Sequence, residues 1–334
     1  MGKRYRDEYL VHLNPEADVT AIDISEGALK VARERCQRSG CSDRVQFQQM
    51  PLETAATLPG QFDMINCVGV LHHLPDPVAG IQALAEKLAP GGIFHIFVYG
   101  ELGRWEIALM QKAIALLQGG DRGDYQQGVA IGRQLFATLP ETNRLVKREQ
   151  ERWANDNQRD ATFADMYVHP QEFDYNIDSL FAFIDASGLD FVGFSNPKLW
   201  QPERLLAEAP ELLARARSLG DRERYRLLEL LDPEAVTHYE FFLTKPPLPW
   251  QNWADEAEFL AAIPERHPCL EGWESKNIFN SDFELIVLND AEFAFMQACD
   301  GQRSLGELIA VTGFEAASAR SLLTKRLLVL TPGS

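Results

Sequence analysis

The sequence predicts an α/β protein: a doubly wound, largely parallel sheet followed by a small α+β unit. Three observations carry this. Apolar β-prone runs at 19–22, 62–70 and 93–99 alternate with helical stretches at 26–38 and 76–88, the pattern of strands joined by crossover helices. "FDMINCVGV" (62–70) and "IFHIFVY" (93–99) are continuous apolar runs, which predicts strands buried on both faces. "PPLP" at 246–249 breaks the chain before a segment of different composition.

Each element has a local reason. Val19, Ala21 and Ile22 form a strand that ends at Asp23, and Ser25 is placed to cap the helix begun by Leu29, Val31 and Ala32. "VQFQQ" (45–49) is a short strand. Val78, Ile81, Leu84, Ala85 and Leu88 give helix 76–88 one apolar stripe. Asp76 caps its start with Pro77 in the first turn, and "APGG" (89–92) ends it. Residues 102–160 read as mainly helical, 177–189 as a helix closed by Gly188, 190–197 as a strand, 202–230 as charged helix and 238–245 as an aromatic strand. Beyond the linker, 277–289 suggests a hairpin and 290–299 a helix ending at Asp300-Gly301. "SLGE" (304–307) is a capping box, 315–326 a helix and "LLVLT" a terminal strand. The expected boundaries are 1–246 for the large domain and 250–334 for a small winged-helix-like one.

Composition narrows the function. The 334 residues carry 49 acids against 32 Lys and Arg, a formal charge of −17, which argues against a nucleic-acid partner. The five cysteines, with no C-x-x-C, fit reduced thiols in the cytoplasm. The first 20 residues are charged and polar, unlike a signal peptide, and no apolar run is long enough to span a bilayer.

A strand that ends in an acid raises a question of its own. In nucleotide-binding sheets such a carboxylate accepts hydrogen bonds from ribose hydroxyls, and a glycine-rich loop stands about 20 residues earlier. No G-x-G precedes Asp23. The runs "VTAIDIS" and "FDMINCVGVLHHLPDPVAGIQALAEKLAPGGIFHIFVYG" (62–100), with "L-H-H-L-x-D-P" followed by "L-x-P-G-G", closely resemble class I S-adenosylmethionine-dependent methyltransferases. "DMYVHPQEFDYNIDSLFAFIDASGL" (165–189) looks like the substrate-side segment of one bacterial subgroup. The resemblance spans about residues 2–246. The C-terminal segment faintly resembles peptide-binding winged-helix modules found beside modifying enzymes, which implies a protein partner for it.

The resemblance implies a Rossmann-like sheet of six parallel strands and one antiparallel, with S-adenosylmethionine at the carboxyl ends of the strands. Asp23 then matches the ribose-binding acid, Ile24 packs on adenine, and Leu52 and Glu53 match the adenine-side loop. Asn66, Cys67 and Val68 match the strand end beside the methionine moiety. Pro51 stands where the family usually has an acid. The family's first strand and its D-x-G-x-G-x-G loop have no counterpart, and Gly2 matches the last glycine of that loop with 3–13 as the following helix. The expectation is therefore weak or no cofactor binding by the chain as given, and binding with about 40–60 further N-terminal residues.

His169, Tyr175 and Tyr99 are candidate catalytic side chains over the acceptor pocket, His169 as a base. Arg104 either clamps an anionic substrate or pairs with a surface acid. His72-His73 reads as one packed ring and one at the cleft edge, since adjacent histidines do not share a metal and no third ligand is spaced for one. The leading function is methyl transfer to a small molecule or a protein side chain. The alternatives are a non-catalytic remnant acting as a binding module and a nicotinamide dehydrogenase, which "LHHL-x-DP" with "L-x-P-G-G" disfavours.

Overall fold

The computed structural model describes residues 10–12, 14, 16–119, 123–248 and 251–333. Gly2 and most of the expected 3–13 helix lie outside them. The chain divides into two compact units, Met1–Leu248 and Pro249–Ser334.

In the first unit, β1 (Val19–Asp23) leads through α1 (Glu26–Arg38) to β2 (Val45–Gln49), its parallel partner from Val19↔Val45 to Asp23↔Gln49. Strand β3 (Phe62–Val68) leads through α2 (Pro77–Lys87) to β4 (Leu88–Tyr99), again parallel. Helices α3 (Trp105–Leu117), α4 (Tyr125–Thr138) and α5 (Asp160–Tyr167) form an insertion. Helix α6 (Ile177–Ser187) returns the chain to β5 (Asp190–Phe194), and α7 (Pro210–Ser218) and α8 (Asp221–Leu231) precede β6 (His238–Thr244). The second sheet has the order β3-β4-β6-β5, with β6 antiparallel to both neighbours. The described residues thus give six strands in two sheets, where the family has seven in one and its first strand was expected to have no counterpart. Among them β1 pairs with β2 alone and β3 with β4 alone.

The predicted caps form. Ser25 Oγ accepts from Ala28 N at 3.2 Å, Asp76 Oδ1 from Ala79 N at 3.0 Å, and Gly188 closes α6 at φ 70°. One face of β4, Phe94, Ile96 and Val98, is fully buried with Ile81, Leu180 and Phe241 in the main core. The expectation of strands buried on both faces does not hold. The apolar runs carry rings on the second face as well, where His95 stacks on Phe242 and Phe97 on an exposed His238; His95 and Phe97 stay half-buried while Met64 is 48% exposed. Val78 likewise leaves the α2 stripe for solvent, and Pro77 and Gly80 join it. The insertion has its own core of Ile107, Met110, Ile114, Phe163 and Tyr167.

The second unit contains the expected hairpin, β8 (Asn277–Phe279) with β9 (Leu285–Val287), and the helices α10 (Asp290–Ala298), α11 (Leu305–Thr312) and α12 (Ala316–Thr324). It also contains α9 (Glu256–Ala261) and β7 (Ile263–Arg266), which pairs antiparallel with β10 (Leu328–Thr331). The Ser304–Glu307 capping box is made in both directions, with bonds of 3.3 and 2.8 Å. Asp300 does not cap α10. It forms a side-chain turn to Gln302 N and Arg303 N.

Candidate active site

The carboxyl ends of the parallel strands carry two groups of residues. The first surrounds Asp23, the last residue of β1. Its Oδ1 accepts from Ser25 N at 2.7 Å, so the acid and the start of α1 are held together. Ile24 follows with its side chain 71% exposed, and its carbonyl accepts from Gln49 Nε2 at 3.1 Å. Met50 N donates to Asp23 O at 3.1 Å, which brings the end of β2 alongside. Leu52 and half-buried Glu53 open the turn Leu52–Thr57 just beyond. A carboxylate suited to a diol thus stands beside an exposed apolar side chain suited to a flat base. These are the complementary chemistries a nucleoside asks for.

The three residues expected at the end of β3 diverge. Asn66 lies within the strand, its Oδ1 2.7 Å from His95 Nδ1, and His95 Nε2 continues to Glu240 Oε1 at 3.0 Å. Cys67 is buried in the main core, and burial pushes its thiol up to about 12. Val68 alone is at the strand end, where Gly69 turns the chain at φ 72°.

The second group is a polar cluster at the end of β4. A short strap, residues 171–175, is stitched to the sheet by backbone bonds: Phe173 N to His72 O at 2.8 Å, Tyr175 N to Tyr99 O at 2.9 Å and Glu101 N to Tyr175 O at 2.6 Å. His72 is fully buried, its ring 4.2 Å from that of Tyr99. Burial, with His73 and Arg104 nearby, drives its pKa down to about 2, so it is a neutral imidazole. The rings of His73 and His169 lie 4.0 Å apart, and each Nδ1 approaches the Gln171 carbonyl, at 3.0 and 2.6 Å.

Arg104 lies over the Tyr99 ring at 3.5 Å and donates to Glu172 Oε1 at 3.1 Å. Both ends of this ion pair are buried, with side chains 4% and 3% exposed. Arg104 therefore pairs with an interior acid and not a surface one. Gln111 Nε2 donates to the same Glu172 oxygen at 3.1 Å. Asp174 follows on the strap. Burial and the Glu172 carboxylate raise it to about 7, with Arg104 opposing. Burial lifts the Tyr99 phenol to about 12. Five atoms of this cluster are buried without a partner: His72 Nδ1 and Nε2, Arg104 Nε, Glu172 Oε2 and Asp174 Oδ1.

The cluster thus brings together Tyr99 and His169 of the expected residues. Tyr175 contributes backbone only, since its ring is buried in the main core 5.1 Å from Phe183. Sequence reasoning missed Glu172, Asp174 and Gln111. The signal available was the pair of acids flanking Phe173, between Gln171 and Tyr175.

A family model described as "Methyltransferase domain" matches residues 7–94. A Synechococcus sp. protein, "Uncharacterized protein syc1184_c", is 56% identical over 335 residues, covering 99% of this chain and 80% of its own length. The fold is similar to that of PKMT2 from Rickettsia typhi, with a TM-score of 0.62 at 12% identity over 98% of this chain and 69% of that one. Residues 7–94 belong to the methyltransferase domain family, and the fold is that of the class I S-adenosylmethionine-dependent methyltransferases. The methyltransferase also matches the ubiquinone biosynthesis O-methyltransferase of Psychrobacter cryohalolentis, at 44% identity over 78 residues. That match covers 23% of this chain and 30% of the relative, so it spans less than a third of that enzyme. PKMT2 has also been solved in complex with AdoHcy, and that structure aligns with a TM-score of 0.59 at 11% identity over 96% of this chain and 68% of that one. The cofactor of the family is S-adenosylmethionine.

Proposed function

We propose that the methyltransferase holds the ribose of S-adenosylmethionine on Asp23 and the adenine against Ile24 and the turn Leu52–Thr57. The acceptor then sits over the polar cluster at the end of β4. The observation that carries this reading is Asp23 at the carboxyl end of β1, beside an exposed Ile24 and the end of β2. When bound, the cofactor supplies a methyl group on a sulfonium, already joined to its leaving group, so the protein's part is positioning and proton handling. Tyr99 and His169 lie in that second group, where His169 is the candidate proton acceptor and Tyr99 shapes the pocket. Val68, at the end of β3, lies beside the methionine moiety, and Asn66 and Cys67 support the floor beneath it from within the strand.

The test is an isothermal titration of S-adenosylmethionine into wild type and Asp23→Ala. Hydrogen bonds to a charged acceptor are worth about 1.5–3 kcal/mol, so affinity falls roughly ten- to hundredfold. Equal affinities remove Asp23 from the site. No binding by this chain or by one extended by about 40–60 N-terminal residues favours the alternative of a non-catalytic binding module.

The acceptor is a small molecule or a protein side chain. In the second unit Phe279, Phe283, Leu285 and Val287 expose their side chains on one hairpin, which supports a protein partner there. All five cysteines are free thiols and none of the described helices is long and apolar enough to cross a membrane. Both support a cytoplasmic location.

A further inference from the structure

The polar cluster has a sign. Among the described residues Arg104 is its buried Lys or Arg side chain, and it is taken up by Glu172. Asp174, Glu101 and Asp165 add negative charge around Tyr99 and Asp174. His72 and His73 have lowered pKa values and add no charge at neutral pH. The buried atoms left without partners include two carboxylate oxygens, Glu172 Oε2 and Asp174 Oδ1, which can only accept while the acids are ionised. Beside them lies the Tyr99 ring, which already holds one cation on its face. Among the described residues an anionic acceptor would meet Glu172, Asp174, Glu101 and Asp165 against Arg104, already paired, and the His169 ring.

We propose, resting on the methyltransferase reading above, that the acceptor is an amine that docks as its ammonium ion against Glu172 and Asp174 beside Tyr99. An ammonium nitrogen has no lone pair to attack with, so the proton must leave first. Asp174 Oδ1 takes it in place of His169, whose Nδ1 is engaged with the Gln171 carbonyl. The neutral nitrogen then attacks the methyl carbon, a C–N bond forms and the C–S bond breaks with its electron pair going to sulfur. The products are the methylated amine and S-adenosylhomocysteine, and the proton passes from Asp174 to water. The raised affinity of Asp174 for a proton, from burial and from Glu172 beside it, suits it to this step near neutral pH.

The experiment uses the full chain with ¹³C-labelled Asp and Glu carboxyl groups, saturated with S-adenosylhomocysteine. Asp174→Asn and Glu172→Gln assign the two signals. n-Butylammonium chloride, butan-1-ol and sodium benzoate are titrated in turn. The expected result is a saturable effect of the ammonium ion alone, which lowers the Asp174 midpoint by about one pH unit or more. The same probe then binds Asp174→Asn at least about tenfold more weakly. The amine assignment falls if benzoate saturates the site, or if n-butylammonium leaves the Asp174 midpoint unmoved. A parallel calorimetric titration of S-adenosylmethionine separates the two levels. Binding without an ammonium response overturns the amine alone. Absence of binding overturns the methyltransferase reading and the amine with it.

Discussion

Arg104 and Glu172 offer a direct energetic test of how the site is built. Their ion pair is 3.1 Å long and both side chains are at least 96% shielded from water. Replacing Arg104 by Met leaves a buried carboxylate with Gln111 as its remaining donor. Removing one member of such a pair costs about 3–5 kcal/mol, because the other charge stays buried. The same holds for Glu172→Gln, which strands the guanidinium over Tyr99. The double variant removes both charges and should lie within about 2 kcal/mol of wild type. Summed singles would predict far more, so the cycle should give a coupling energy of about 3 kcal/mol or higher. In scanning calorimetry each single change should lower the transition of the first unit by roughly 6–20 °C, at about 2–4 °C per kcal/mol for a domain of this size. The deficit of Arg104→Met should also shrink from pH 8 to pH 5, since Glu172 and Asp174 can then share a proton in place of the lost cation. A coupling below about 0.5 kcal/mol would mean that the pair is solvated and that the cluster is not the dry site described here.

Asp174 titrates near 7 in the folded protein and near 4 when unfolded, so the native state holds the extra proton between those values. Stability from this group therefore falls as pH rises from about 4 to 7 and is level above that; Asp174→Asn should flatten this segment of the stability profile measured by urea unfolding. His72→Phe keeps a ring against Tyr99 and removes two unpartnered nitrogens, so it should raise stability by about 1–3 kcal/mol. A loss of stability would show that those nitrogens have partners in solution. Limited proteolysis should cut first near 246–249, at the junction of the two compact units; early cuts elsewhere with no release of the two parts would refute the domain boundary.

The framework of the first unit was readable because short-range chemistry dictates it. Ser25, Asp76 and Gly188 end or begin helices through bonds to neighbours within three residues. The strand order and the antiparallel β6 came with the family resemblance. Periodicity did not give them, since it carries no information on which strand lies beside which. The second unit shows the same limit. Strand β7 has Pro264 among four residues and reads as loop until its distant partner β10 is known. The candidate site was legible in its parts only. Asp23 announces itself as an acid at the end of an apolar strand. Glu172, Asp174 and Gln111 do not, because their meaning comes from Arg104, which is 68 residues from Glu172 in sequence.

The strap of residues 171–175 places the proposed acceptor cluster on a seam between distant stretches of chain. His73 and Gln171 meet across 98 residues, and Arg104 and Glu172 across 68. Closing such loops costs entropy before any contact repays it. The sheet and its α2–α6 packing can form without the seam, whereas the seam needs both the sheet and the finished insertion. The seam proposed to meet the acceptor is then expected to assemble last in the first unit and to open first. Damage to the insertion, far from any ligand, would leave a protein that still folds and still offers Asp23, yet has no acceptor pocket to deliver a methyl group into.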